Sequence, residues 1–281
     1  MLAKAGGGGN LLMHGPIYHA RPPPFGAYRP RRTCLSFIVG TMTKPSNNSN
    51  ITGRVTDYEA CFTQSWQGDT ALERVRFVVL DCETTGLDPR RHRIVSIGAI
   101  GVVDCQIDLA DSFEALLRVR FNTDATLVHG ITRDESRTGM GEADAMASLL
   151  DYLRDGVIVG HHIGHDLAML DAALGRHSSG RIRNRSIDTG QLLLLLEPEG
   201  ASGDRSALRD LSLDGVCERF GVLPYDRHTA PGDAFLTAQV FLRLLRLAAR
   251  QGRGTLGSLC EPALVPSGDT PAPTTGPRLP G

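Results

Sequence analysis

Apolar residues fall into short, dense runs separated by polar punctuation, and the spacing within the runs changes partway along the chain. Phe77–Leu80 is a compact apolar run with two valines at its centre, which predicts a strand. Ile94–Val103 predicts a second, and Ile107–Val119 a third after the polar break Asp104–Gln106. Three strands without an intervening helix imply an antiparallel meander. The period then lengthens. Glu142–Leu153 places Ala143, Met146, Leu149, Leu150 and Leu153 on one helical face. Val157–Gly160 is a short buried strand, and His165–Leu174 a helix whose inner face is Leu167, Leu170 and Leu174. Arg183–Ile187 predicts a last strand, and Thr189–Leu196 and Leu213–Phe220 predict helices. Asp233–Arg250 predicts the longest helix. A meander followed by strand–helix alternation implies an α/β domain with a mixed sheet, spanning about residues 74–259.

The two ends have a different composition. Residues 1–50 hold six Lys or Arg and no Asp or Glu, together with the Gly6–Gly9 and Pro22–Pro24 runs. Such a segment buries too little apolar surface to offset the entropy of ordering it. It reads as a basic arm for a polyanion or as an unstructured leader, with Met13 and Met42 as alternative starts. Residues 261–281 include six prolines and read as a disordered tail. The expected organisation is a basic, mostly disordered leader and lead-in over 1–73, a domain over 74–259 and a Pro-rich tail over 260–281.

Of the 281 residues, 41% are hydrophobic and 22% charged, the balance of a globular domain. No run of about 18 apolar residues is present, which excludes a membrane-spanning helix. The net charge of −1 excludes a polycation, so nucleic-acid binding would have to use a local patch. The six cysteines include no C-x-x-C pair, which argues against a zinc site or disulfide framework and fits a reducing cytoplasm. Lysine occurs only at positions 4 and 44, so every later basic side chain is an arginine, suited to bidentate phosphate contacts.

The chemistry lies at the ends of the predicted elements. Asp81 and Glu83 close the first strand, and residues two apart on a strand point to the same side. Two carboxylates this close repel unless a cation lies between them, and carboxylate oxygens suit Mg²⁺ or Mn²⁺. An acidic strand end facing solvent is the bland alternative. The full string Asp-x-Glu-Thr-Thr-Gly decides against it, since chance yields it on the order of 10⁻⁶ per start position at average residue usage. Asp166 falls in the first turn of a predicted helix, behind His161, His162 and His165. Those histidines straddle a strand-to-helix loop and lack the spacing of a helical zinc pair. Asp233 opens another helix, with His228 five residues ahead in a loop, where an imidazole can swing in as a proton acceptor. Four carboxylates for two divalent ions and one titratable base add up to metal-dependent phosphoryl hydrolysis.

Three segments carry a resemblance. Asp81-Cys82-Glu83-Thr84-Thr85-Gly86, Gly160–Asp166 and His228-Thr229-Ala230-Pro231-Gly232-Asp233 resemble the three motifs of the DEDDh (DnaQ-like) 3′–5′ exonucleases. That family is typified by the proofreading epsilon subunit of bacterial DNA polymerase III. Val128-His129-Gly130-Ile131-Thr132 also looks like a family segment, in the expected place between the first two motifs. The resemblance covers about Phe77 to Arg250 and implies a ribonuclease H-like fold. It implies that Asp81, Glu83, Asp166 and Asp233 hold two Mg²⁺ or Mn²⁺ ions and that His228 deprotonates the attacking water. It further implies that Thr84 and His129 contact the terminal nucleotide, with Asp124 nearby. The sequence departs from the family pattern at His162, where many members have Asn, and at His165, where they usually have Phe.

The expected function is a 3′–5′ exonuclease that releases nucleoside monophosphates from single-stranded DNA ends, proofreading or repair being its natural settings. The Thr84-Thr85 pair favours DNA over RNA, because oligoribonuclease-type relatives tend to carry Met at the position of Thr84. RNA 3′-end trimming is the rival within the class. A non-catalytic polymerase accessory or nucleic-acid-binding module is the rival outside it, and a complete acidic set argues against that. Arg176, Arg181, Arg183 and Arg185 form either a strand-guiding patch or a solvated loop. A DNA polymerase is a possible partner, but no docking segment is visible: Gln191–Leu196 and Gln239–Leu245 both fall inside amphipathic helices.

Overall fold

A computed structural model describes residues 51–64, 66–119, 137–197 and 210–260. Five strands form one sheet: β1 Phe77–Thr84, β2 Ile94–Val103, β3 Gln106–Leu116, β4 Val157–Gly160 and β5 Ser186–Asp188. Their order is β3-β2-β1-β4-β5, antiparallel from β1 to β3 and parallel from β1 through β4 to β5. The expected meander and mixed α/β sheet are therefore both present. β1 is central and covered on both faces, which is why Phe77–Leu80 is apolar without alternation. β3 lies at the edge, and its polar residues face water.

Among the described residues, six α-helices cover the sheet: α1 Ile51–Ala60, α2 Glu142–Leu153, α3 Gly164–Gly175, α4 Thr189–Leu196, α5 Leu213–Phe220 and α6 Ala230–Arg250. Alternation along the strands assigns the two cores. Phe77, Val79, Ile100 and Val102 pack with residues of α4, α5 and α6 on one face. Val78, Leu80, Ile97 and Ala99 pack with α1, α2 and α3 on the other. Asp81 and Glu83 continue the first of these sets, so they point toward α6.

Several boundaries differ from the sequence reading, and two of them change the core or the site. The lead-in up to residue 73 was expected outside the core, yet α1 buries Ile51, Val55 and Tyr58 against the second core. Those residues recur at helical spacing, a signal that the polar run immediately before them obscures. The longest helix begins at Ala230 rather than Asp233. Pro231 lies in its first turn, where the amide it lacks has no intrahelical partner, and the Thr229 hydroxyl caps the turn by accepting from the Gly232 amide at 3.1 Å. The expectations for residues 1–50 and 261–281 lie outside the described residues.

Candidate active site

The strand register builds the site. Asp81 pairs with Gly98 of β2, and Glu83 with Ser96. Partners across an antiparallel pair share a face, so Gly98 and Ser96 lie on the side of the two carboxylates. Gly98 has a steric reason to be glycine. A Cβ there would stand 2.3 Å from the Ala230 carbonyl carbon and the Pro231 nitrogen. The bare backbone lets the start of α6 seat directly on the sheet. Asp233, in the first turn of α6, is thereby carried to the two strand acids. One carboxylate oxygen from each of Asp81, Glu83 and Asp233 lies within 4.8 Å of the others.

Asp166 reaches the same region from the opposite core. It stands in the first turn of α3, and its Oδ1 accepts from the Cys82 amide at 2.9 Å. The start of α3 is fixed in turn by Asp188, which accepts from the Ile163 amide at 3.1 Å while capping α4. Asp166 does not join the three-carboxylate cluster directly, but its charge acts on Asp81.

Three of the acids, Asp81, Glu83 and Asp166, resist ionisation. Burial pushes Asp81 well above the usual carboxylate range, and the charges of Asp166, Asp233 and Glu83 add to it, with Arg227 opposing. Burial raises Asp166 to about 7, against hydrogen bonds from its own amide and that of Cys82. Burial and then Asp233 raise Glu83, while His228 and Arg227 pull it down. A divalent cation would relieve all three. The donor set fits one: it is all oxygen, and Asp233 Oδ1 is buried with no hydrogen-bond partner among the described residues.

The remaining candidates are placed as follows. His228 is exposed, at φ 64°, in the turn just before α6. Thr84 ends β1 and donates through Oγ1 to the Gly86 carbonyl at 3.1 Å. Gly86 (φ 154°) turns the chain beneath His92, whose ring leaves no room for a Cβ. His129 and Asp124 lie outside the described residues.

Of the three clustered histidines, His161 is structural. Its Nε2 donates to the Leu211 carbonyl at 2.7 Å, which leaves Nδ1 to accept from the Thr189 hydroxyl at 2.8 Å. Burial lowers its pKa and keeps the ring neutral. The only metal-capable cluster among the described residues is made of carboxylates.

The description of the matching family model is "Exonuclease", and it spans residues 78–241, more than half of the chain. The chain belongs to the exonuclease family. Among relatives of this exonuclease-family chain, the PolC-type DNA polymerase III of Thermotoga petrophila is 31% identical over 66% of the chain and 13% of its own length. A DNA polymerase III subunit epsilon-like protein of Rhodobacter capsulatus is 32% identical over 70% and 27%. The epsilon subunit of Aquifex aeolicus is 25% identical over 60% and 80%. The chain thus spans about an eighth to a quarter of the first two relatives' length. E. coli exonuclease I with a dT13 oligonucleotide shares the fold at TM-score 0.54 and 20% identity, over 63% of this chain and 42% of that one. These findings bear out the family and fold expected from the three motifs. No helix among the described residues is long and apolar enough to cross a membrane.

Sequence reasoning missed Arg227, which bridges Asp214 and Asp233. A single arginine in a loop carries no periodic signal. The supposed arginine patch is partly spent: Arg176 forms a bidentate pair with Glu142, and Arg183 pairs with Glu59.

Proposed function

We propose that this chain is a metal-dependent 3′–5′ exonuclease that removes nucleoside monophosphates from the 3′ ends of single-stranded DNA. The observation that carries the reading is the convergence of Asp81, Glu83 and Asp233 within 4.8 Å on a sheet face roofed by the start of α6. Asp81, Glu83 and Asp233 hold divalent cations, Mg²⁺ or Mn²⁺, and Asp166 completes the set from α3. Two such ions, when bound, supply Lewis acidity toward the attacking and leaving oxygens of a phosphodiester. His228 stands in an exposed turn beside Asp233 and takes the proton of the attacking water. Its position in a turn lets it approach and withdraw without moving the sheet. Thr84 and His129 contact the terminal nucleotide, with Asp124 beside it. The single-stranded DNA bound to exonuclease I supports the substrate class. The polymerase III relatives support a proofreading or repair setting with a polymerase partner.

The test uses purified protein with Mg²⁺ or Mn²⁺ on matched 3′-labelled DNA and RNA oligonucleotides. Early release of the label as a mononucleotide from DNA, abolished by EDTA, is the expected result. Internal cleavage, loss from the 5′ end or EDTA-resistant activity would overturn the reaction. Faster release from RNA would overturn the DNA assignment.

A further inference from the structure

Asp233 is held in an asymmetric way. Its Oδ2 is ion-paired to Arg227 Nη1, whereas its Oδ1 is buried without a partner among the described residues. The guanidinium that grips Oδ2 is itself clamped. Arg227 Nε lies 2.6 Å from Asp214 Oδ1, and Nη2 lies 3.2 Å from Asp214 Oδ2. Asp214 stands in the first turn of α5, so this fork-to-fork contact ties the planar group to a second helix.

We infer that Arg227 is a positioning residue that fixes the Asp233 carboxylate so that Oδ1 faces the other two acids. The inference rests on the metal-site reading given above. A carboxylate with neither oxygen tethered can rotate about its terminal bond, and its donor atom then samples positions away from the cation. With Oδ2 pinned by a guanidinium that cannot itself turn, Oδ1 has one place to be. The arrangement has a cost, because a positive charge beside the cluster disfavours cation binding through space. Asp214 offsets it by sharing the guanidinium charge. Arg227 is also the residue before His228, so the same clamp holds the turn that carries the general base.

The test is Mn²⁺ affinity, read by calorimetry on the full chain without substrate, in Arg227→Ala, Arg227→Lys and Asp214→Asn. Loss of an outer partner of a metal ligand typically weakens binding by about 10–100-fold, and Arg227→Ala should fall in that range. Arg227→Lys should recover part of the loss, since it keeps one donor and the charge. Asp214→Asn should weaken binding less than Arg227→Ala. Should Arg227→Ala not fold, the Lys and Asp214→Asn variants decide the matter by the same readout. Unchanged affinity in folded variants, with only a lower melting temperature, would make Arg227 a purely structural tie and overturn the inference. Tighter binding would overturn it too, by showing that the guanidinium competes with the cation. Asp81→Asn is the control. If it binds Mn²⁺ as well as the intact chain, the metal-site reading itself has failed; if only the Arg227 variants are silent, the positioning role alone has.

Discussion

The Cys82 amide donates to Asp166 Oδ1 at 2.9 Å, so the strand that carries two of the acids also grips one from the helix across the other core. Strand and helix are thereby locked in relative height. The bond makes Cys82 a structural member of the site through its backbone, which any residue but proline could supply. Its side chain is buried among α2 and α3 residues, where the thiol adds a second hydrogen bond to Asp166.

Neutralising any one acid should remove most turnover. Asp81→Asn, Glu83→Gln, Asp166→Asn and Asp233→Asn are near-isosteric and, on the proposed reading, delete the charge that would hold the cation. Mn²⁺ should raise the melting temperature of the intact chain and raise it less in each variant, since a ligand stabilises the state it binds. Wild-type rates in a variant lacking both Asp81 and Glu83 would defeat the assignment.

Without metal, stability should fall as pH rises through neutrality. The folded-state pKa of Asp166 is raised to about 7, so its contribution is fully present below the unfolded value near 4 and lost as pH passes 7. Asp81 acts in the same direction. Asp166→Asn removes its own share of this dependence. In EDTA the variant should therefore be the more stable of the two at pH 8.5, by a few kcal/mol at most. At about pH 3.5, below the unfolded value, the two should melt together. Thermal unfolding at both pH values checks this, and a variant less stable than the parent at pH 8.5 would refute it. Added Mn²⁺ should reverse the high-pH loss in the intact chain, because it favours ionised carboxylates.

His228→Ala should lower the maximal rate by roughly 10²–10⁴-fold, the usual worth of a general base. Metal affinity should hardly move, because no carboxylate oxygen is removed. The acidic limb of the pH–rate profile should flatten. A variant with an unchanged acidic limb and only a lower melting temperature would mean that His228 merely shapes the turn.

Gly98→Ala probes how α6 reaches the sheet. The added methyl meets main-chain atoms of Ala230 and Pro231, which cannot swing aside as a side chain can. The start of α6 must lift, taking Asp233 with it. Overpacking of this kind costs about 1–3 kcal/mol, and turnover should fall further than stability. Melting curves and initial rates on one preparation separate the two effects, and normal rates would show that Asp233 tolerates the shift.

Removing residues 1–50 should leave the melting temperature unchanged, whereas removing 1–73 should lower it sharply. The second truncation deletes α1 with Ile51, Val55 and Tyr58, and a buried large apolar side chain is worth about 1.5–3 kcal/mol. Equal melting temperatures for the two truncations would show that α1 adds nothing to the core.

The sequence by itself determined the elements and the identity of the acids. β2, α2, β4, α4 and α5 begin and end where hydrophobic period and turn residues place them, because local spacing decides which face can be buried. The D-x-E spacing already put Asp81 and Glu83 on one side of a strand, since alternation follows from backbone geometry alone. Local signals faded where a partner is distant. α1 is short and modestly apolar, and it becomes a core element only because α2 offers it a surface. Only the tertiary structure decided that Asp233 would meet Asp81 and Glu83, which are about 150 residues away in the chain, because that meeting needs a glycine at 98 under the start of α6. It alone placed Arg227 between Asp214 and Asp233. A salt bridge between loop and helices has no period, and long-range packing fixes it after the local patterns have been satisfied.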